Sequence, residues 1–142
     1  MPIIYLSPST QENNLYVSGG TEEEWMKGFL ESSVKGTPGE QFQYNSMNSY
    51  VLASIVCRVS GRNLSDYLTE KIFRPMGIHR VHWETSPEGI EKGGWGLYMT
   101  PEDMAKIGWL YLNRGAWGDR RIFSEAWADI FLHPPVDRVR YG

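Results

Sequence analysis

One cysteine in 142 residues, Cys57, excludes an internal disulfide, so cysteine usage does not fix a redox compartment. No apolar run reaches the roughly 18 residues that a membrane span needs. The opening Met1-Pro2-Ile3-Ile4-Tyr5-Leu6 is short and carries no basic residue, which does not fit a signal peptide. Charge of neither sign dominates. The net charge of −3 gives no electrostatic reason to expect a nucleic-acid partner. Several chemical signatures are missing too. There is no Gly-x-Ser-x-Gly. Gly93-Gly94-Trp95-Gly96 has no following Lys-Ser or Lys-Thr, so it fails the phosphate-loop pattern. His79, His82 and Glu84 lie close together, but Pro75, Gly77 and Trp83 argue against a helix that would align them, and no cysteine pair exists. The residues therefore imply no metal and no cofactor. Ser32-Ser33-Val34-Lys35 matches Ser-x-x-Lys in form. It falls late in a helix, however, with Gly36 directly after it. It reads as a solvated last turn with Lys35 at the negative end of the helix dipole. The residues alone pair no nucleophile with a base.

What is present is an ordinary soluble composition, 41% hydrophobic and 22% charged, in a length that suits one domain. Residues 1–20 read as an irregular arm, because Pro, Ser, Asn and Gly dominate it. Residues 21–142 read as a helical domain. Its first helix opens with a capping box, Thr21 to Glu24, and shows Trp25, Met26, Phe29, Leu30 and Val34 on one face. A third helix starts at Asn63 with Asp66 and ends at Pro75 and Gly77. A fourth starts with Thr100, Pro101 and Asp103. Gly108 inside that helix costs about 1 kcal/mol against Ala, which suggests close approach of another backbone. Ser124 caps a fifth helix, which Pro134-Pro135 stop. Residues 78–99 show no clean period and read as a long Gly- and Trp-rich loop with one or two short strands. The expected fold is mainly α, with about five short helices near 21–35, 46–60, 64–74, 101–113 and 124–132. Its expected core is Phe29, Leu52, Ile55, Val56, Leu68, Ile72, Ile107 and Tyr111.

The organising stretch is 36–60. Gly36, Pro38 and Gly39 break the chain. Phe42-Gln43-Tyr44 is short and alternating. Val51, Leu52, Ile55, Val56 and Val59 then recur at helical spacing. An exposed polar corner, 44–49, thus opens onto a helix with a wide apolar face. Composition reads it as an N-capping segment with a half-buried Tyr44. A helix mouth can also hold a Tyr rigidly among backbone donors.

This stretch resembles the serine β-lactamase and penicillin-binding-protein-like hydrolases, in the class C and esterase branch that includes 6-aminohexanoate-oligomer hydrolases. The resemblance rests on Pro38-Gly39-Glu40-x-Phe42-x-Tyr44-Asn45-Ser46 and the helix Tyr50-Val51-Leu52-Ala53-Ser54-Ile55-Val56 that follows. It extends through Ile72-Phe73-Arg74-Pro75-Met76-Gly77-Ile78, then Gly93-Gly94-Trp95-Gly96-Leu97-x-Met99-Thr100-Pro101, and then Leu112-Asn113-Arg114-Gly115. Residues 25–142 are covered, and the order of the elements is more specific than any one of them. In the family a Tyr-x-Asn or Tyr-x-Ser motif faces the serine of Ser-x-x-Lys and relays its proton. The resemblance therefore implies Tyr44 and Ser46 as catalytic, with Gly93, Gly94 and Trp95 beside the substrate. A phenol does such work only when nearby cations draw its pKa down from about 10.

The sequence departs from the family by lacking an upstream Ser-x-x-Lys and a downstream Lys-Thr-Gly. The resemblance then implies the helical lobe of a two-lobed enzyme, with a missing α/β lobe as its partner and a small amide or ester as the substrate of the parent. Alone, the chain is expected to be inactive, with Trp83 and Trp95 left as exposed apolar patches. The resemblance suggests a secreted or periplasmic location, as for many members of the family, with the cytoplasm as the alternative. The rival reading is a non-catalytic helical interaction module with a Trp-rich partner surface. A hydrolase lobe should bring Tyr44 and the Gly93-Gly94 turn to one rim; an interaction module need not.

Overall fold

The computed structural model describes residues 4–5, 25–32, 37 and 44–132. The expected capping box at Thr21 and Glu24, Ser33-Val34-Lys35 and the Pro134-Pro135 stop lie outside the described residues. Among the described residues there are five α-helices and short strands, as the sequence implies.

Helix α1 (Trp25–Glu31) leads to α2 (Ser46–Ser60), the longest element. Asn45 caps α2: its Oδ1 accepts the Met47 N–H at 2.9 Å. Gly61 ends it in the left-handed conformation (φ 67°), its N–H returning to the Cys57 carbonyl at 2.9 Å. Helix α3 (Leu64–Leu68) runs on into a π-helical turn, Thr69–Phe73, and a 3-10 turn, Arg74–Met76. Pro75 lacks an N–H and Gly77 takes φ 66°, so the run stops where the sequence requires.

Residues 78–99 hold two strands, β2 (His82–Trp83) and β3 (Leu97–Met99). Strand β1 (Ile4–Tyr5), within the expected arm, pairs antiparallel with the far side of β3. The order is β1-β3-β2, with His82 opposite Tyr98 and Trp83 opposite Leu97. Helix α4 (Pro101–Leu112) starts on a Thr100 cap. The Thr100 hydroxyl accepts the Asp103 N–H at 3.2 Å and donates to its carboxylate at 2.9 Å. A hairpin of β4 (Ala116–Trp117) and β5 (Arg120–Arg121) precedes α5 (Glu125–Leu132).

Among the described residues there are two buried apolar clusters rather than one. The first joins Phe73, Met76, Ile78, Met99 and Leu110, with Leu68, Ile72 and Ile107 packed against it. The second joins Met47, Tyr50 and Trp95, backed by Trp25, Met26, Phe29 and Ile90.

Several expectations need correction. Leu52 and Ile55 are helical but outward-facing, 62% and 51% exposed. Helix α2 is apolar on two sides, and the side it buries is Ser46, Met47, Tyr50 and Ala53. Trp95 is buried rather than exposed; uncovered apolar side chains include Val59 on α2, Trp109 and Leu112 on α4, and Trp127 and Ile130 on α5. Gly108 has open space where a Cβ would stand, so among the described residues no backbone approaches it. Asn63 occupies the N-cap position of α3 without making the side-chain cap bond expected of it.

Candidate functional site

The first turn of α2 carries the polar corner. Tyr44 is 48% exposed, whereas Ser46 is 1% exposed. Their hydroxyls are 3.1 Å apart. Ser46 opens the helix that Asn45 caps, and its hydroxyl meets the Tyr44 hydroxyl two residues earlier. The pair is a buried hydroxyl holding the head group of a surface phenol.

The Gly93-Gly94 turn rests on the same helical turn. A Cβ on Gly94 would come within 2.8 Å of the Ser46 Cβ and 2.9 Å of its carbonyl oxygen. A Cβ on Gly93 would overlap the Ser49 carbonyl, and its φ of 70° suits glycine besides. This is why a glycine pair stands here: only bare backbone fits against 46–49. Ser46 therefore touches both the Tyr44 hydroxyl and Gly94. Trp95 is not beside them on the surface. It turns inward, 5% exposed, and stacks on Trp25 with ring centroids 5.7 Å apart. Trp25 in turn meets Tyr50 edge-on at 5.5 Å. Trp83, half-buried, donates its indole N–H to the Trp95 carbonyl at 2.9 Å.

The residues 84–96 form a loop pinned by polar groups that sequence reasoning missed. Tyr50, fully buried, bonds the Ser86 hydroxyl at 3.0 Å and donates to the Glu88 carboxylate. Burial, followed by the Glu88 bond, pushes the Tyr50 phenol up to about 12. Lys92 pairs with Glu84 at 2.7 Å and lies 5.9 Å from the ring centroids of both Trp25 and Trp95. The Lys92 bond, then the Tyr98 hydroxyl at 2.7 Å, holds the Glu84 carboxyl below its ordinary range. Glu91 is buried at the start of α3. None of these hydrogen bonds carries a sequence signal, since each joins residues eight or more positions apart.

The other sequence candidates lie apart from this corner. Ser32 follows α1 at the surface, and its hydroxyl donates to the Phe29 carbonyl at 2.6 Å. His79 and His82 are exposed, and the His82 ring faces Tyr98. His133 lies outside the described residues. Among the described residues no group of three or more His, Cys, Asp or Glu is placed to hold a metal, and no helix is long and apolar enough to cross a membrane.

Comparison with known proteins gives one picture. The chain is 25% identical over 111 residues to D-alanyl-D-alanine-carboxypeptidase/endopeptidase AmpH of Escherichia coli (strain K12), covering 66% of this chain and 29% of that protein. It is 29% identical over 105 residues to the 6-aminohexanoate-dimer hydrolase of Paenarthrobacter ureafaciens, covering 71% of this chain and 26% of that protein. The chain thus spans less than a third of the length of the curated relatives it matches. A solved structure from Bacillus anthracis, described as a 6-aminohexanoate-dimer hydrolase, superposes with a TM-score of 0.68 at 27% identity, over 74% of this chain and 27% of that one. A penicillin binding protein from Bacillus halodurans shares the fold with a TM-score of 0.64 at 21% identity, over 84% of this chain and 42% of that one. The family model described as Beta-lactamase matches residues 5–135, and the chain belongs to that family.

Proposed function

We propose that this chain is the helical portion of a serine hydrolase that cleaves an amide or ester through an acyl-enzyme. The observation that carries the reading is the contact of Gly94 with Ser46, whose hydroxyl holds Tyr44. It supports a single rim made of the phenol and the glycine turn. Tyr44 takes the proton of a serine hydroxyl supplied outside the described residues as that oxygen attacks the substrate carbonyl. Tyr44 then returns the proton to the leaving amine or alcohol. Water repeats the sequence to release the acid. Ser46 orients the Tyr44 hydroxyl, while Gly93 and Gly94 present bare backbone to the substrate. Trp95 supports the turn from below and does not touch substrate.

Among substrates a peptide-like amide is favoured, because AmpH is by name a carboxypeptidase/endopeptidase and the second relative hydrolyses the 6-aminohexanoate dimer. The outward apolar faces of α2, α4 and α5 suit contact with an α/β lobe of the whole enzyme.

Two experiments test this. The isolated chain should not turn over nitrocefin or p-nitrophenyl esters above background; a product burst lost in Ser32→Ala would return the nucleophile to 32–35. A hybrid in which residues 25–132 replace the matched segment of the 6-aminohexanoate-dimer hydrolase should hydrolyse amide, and Tyr44→Phe should cut its kcat by roughly 10²–10⁴. A folded, active hybrid indifferent to Tyr44→Phe would overturn the assignment.

A further inference from the structure

Glu91 is a carboxylate 4% exposed to water. Burying such a group is costly unless its lone pairs are filled. Here backbone fills them. One oxygen accepts the Leu64 N–H at 3.1 Å, the other accepts the Ser65 N–H at 3.0 Å, and the Cys57 thiol lies 3.9 Å from the first. Those N–H groups are the orphan donors of α3, and Asn63 leaves them uncapped. A residue 26 positions away thus does what a cap residue ordinarily does locally. Burial pushes the Glu91 carboxyl up, the Ser65 and Leu64 bonds pull it down, and the net direction is down.

A cap from so far away also fixes the segment that carries it. Glu91 bridges to Thr85, and its neighbour Lys92 donates its N–H to the Glu84 carbonyl at 3.0 Å. The Gly94 N–H returns to the Lys92 carbonyl at 2.7 Å, and Gly94 lies against Ser46. On the other side, Tyr50 holds Ser86 and Glu88. We propose that Glu91 is a positioning residue: it ties the 84–96 loop to the start of α3 and so sets where Gly93 and Gly94 rest on α2. Its relevance to hydrolysis rests on the reading of that turn as the substrate rim.

The test separates positioning from capping, by amide exchange and 15N NMR on the full chain. In Glu91→Ala the Leu64 and Ser65 amides should exchange roughly tenfold faster, and those of Lys92 and Gly94 should follow, with a shifted Ser46 resonance. Adding Asn63→Asp supplies a local cap. The double variant should recover its melting temperature and its α3 protection, while Lys92 and Gly94 stay fast and Ser46 stays shifted. Recovery of Lys92 and Gly94 in the double variant, or their indifference to Glu91→Ala, would reduce Glu91 to a cap and overturn the proposal. If Glu91→Ala does not fold, Glu91→Gln serves. Its amide accepts through one oxygen only, so one of Leu64 and Ser65 should stay protected while Gly94 loosens; an unmoved Gly94 would again overturn it. None of these readouts needs hydrolysis, so the proposal and the hydrolase reading fail separately.

Discussion

The two buried clusters are held by different physics. The cluster of Phe73, Met76, Ile78, Met99 and Leu110 is apolar, and its elements pack mainly through side-chain volume. The cluster under the candidate site has three buried apolar members, Met47, Tyr50 and Trp95. Directional groups surround it: Tyr50 on Ser86 and Glu88, Glu91 on α3, and Lys92 against two indoles. Apolar attraction is non-directional and is shared over many contacts. Hydrogen bonds fix direction, and bare-backbone contacts fix the distance of approach. The region that must hold Tyr44 and a glycine turn in register is the one built from parts with fixed geometry.

Breaking the apolar side should have the largest effect. Leu110→Ala, at 1% exposure, should cost about 2–5 kcal/mol in urea unfolding and leave the Gly94 amide environment intact below the transition. A loss confined to the site end would mean that the clusters do not divide as described. Next, Gly94→Ala should cost about 1–3 kcal/mol, because its Cβ meets Ser46 backbone and Cβ that cannot swing away. Its signature is a shifted Tyr44 ring resonance, which Leu110→Ala should not produce.

Tyr50→Phe should cost about 1–3 kcal/mol by leaving the Glu88 carboxylate without its donor and the Ser86 hydroxyl without its acceptor. It should also alter alkaline behaviour. The Tyr50 phenol is raised to about 12 in the fold. Its contribution is therefore complete below the unfolded value of about 10 and is lost as pH rises toward 12. Tyr50→Phe should remove that step from an alkaline melt. At the acid end the sign reverses. For Asp103, burial raises the carboxyl, but the Lys106 and Thr100 bonds lower it further, and the Glu91 carboxyl is lowered as well. Stability held above the unfolded values of about 3.9 and 4.3 should drain as pH falls through the lowered native ones. An acid melt of Glu91→Gln should lose part of that slope. The smallest effect belongs to the outward face of α2: Leu52→Ser with Ile55→Ser should change stability by less than about 0.5 kcal/mol. A larger loss would mean that this face is covered in solution.

Much of the fold was legible because its signals are local. Asn45, Gly61, Gly77 and the Thr100-Pro101-x-Asp103 start each act within four residues, so helix bounds followed from types and spacing. The Tyr44-Asn45-Ser46 corner was legible for the same reason. The burial of α2 was not. Its apolar residues recur on two faces, and periodicity marks a face as apolar without saying what sits on it. Leu52 and Ile55 therefore looked like core, whereas Tyr50 and Met47 are core. Gly108 misled in the same way, since a glycine in a helix permits close approach but does not supply the neighbour.

By itself, the sequence determined where the chain turns helical, where it stops, and which family its motifs belong to, because caps, breakers and motif order are properties of neighbouring residues. Only the tertiary structure decided that Gly94 lies on Ser46, that Trp95 faces inward, and that Glu91 caps a helix 26 residues upstream. Those are contacts between segments whose separation no local pattern encodes, and each is fixed by the shape and unfilled donors of the element it meets.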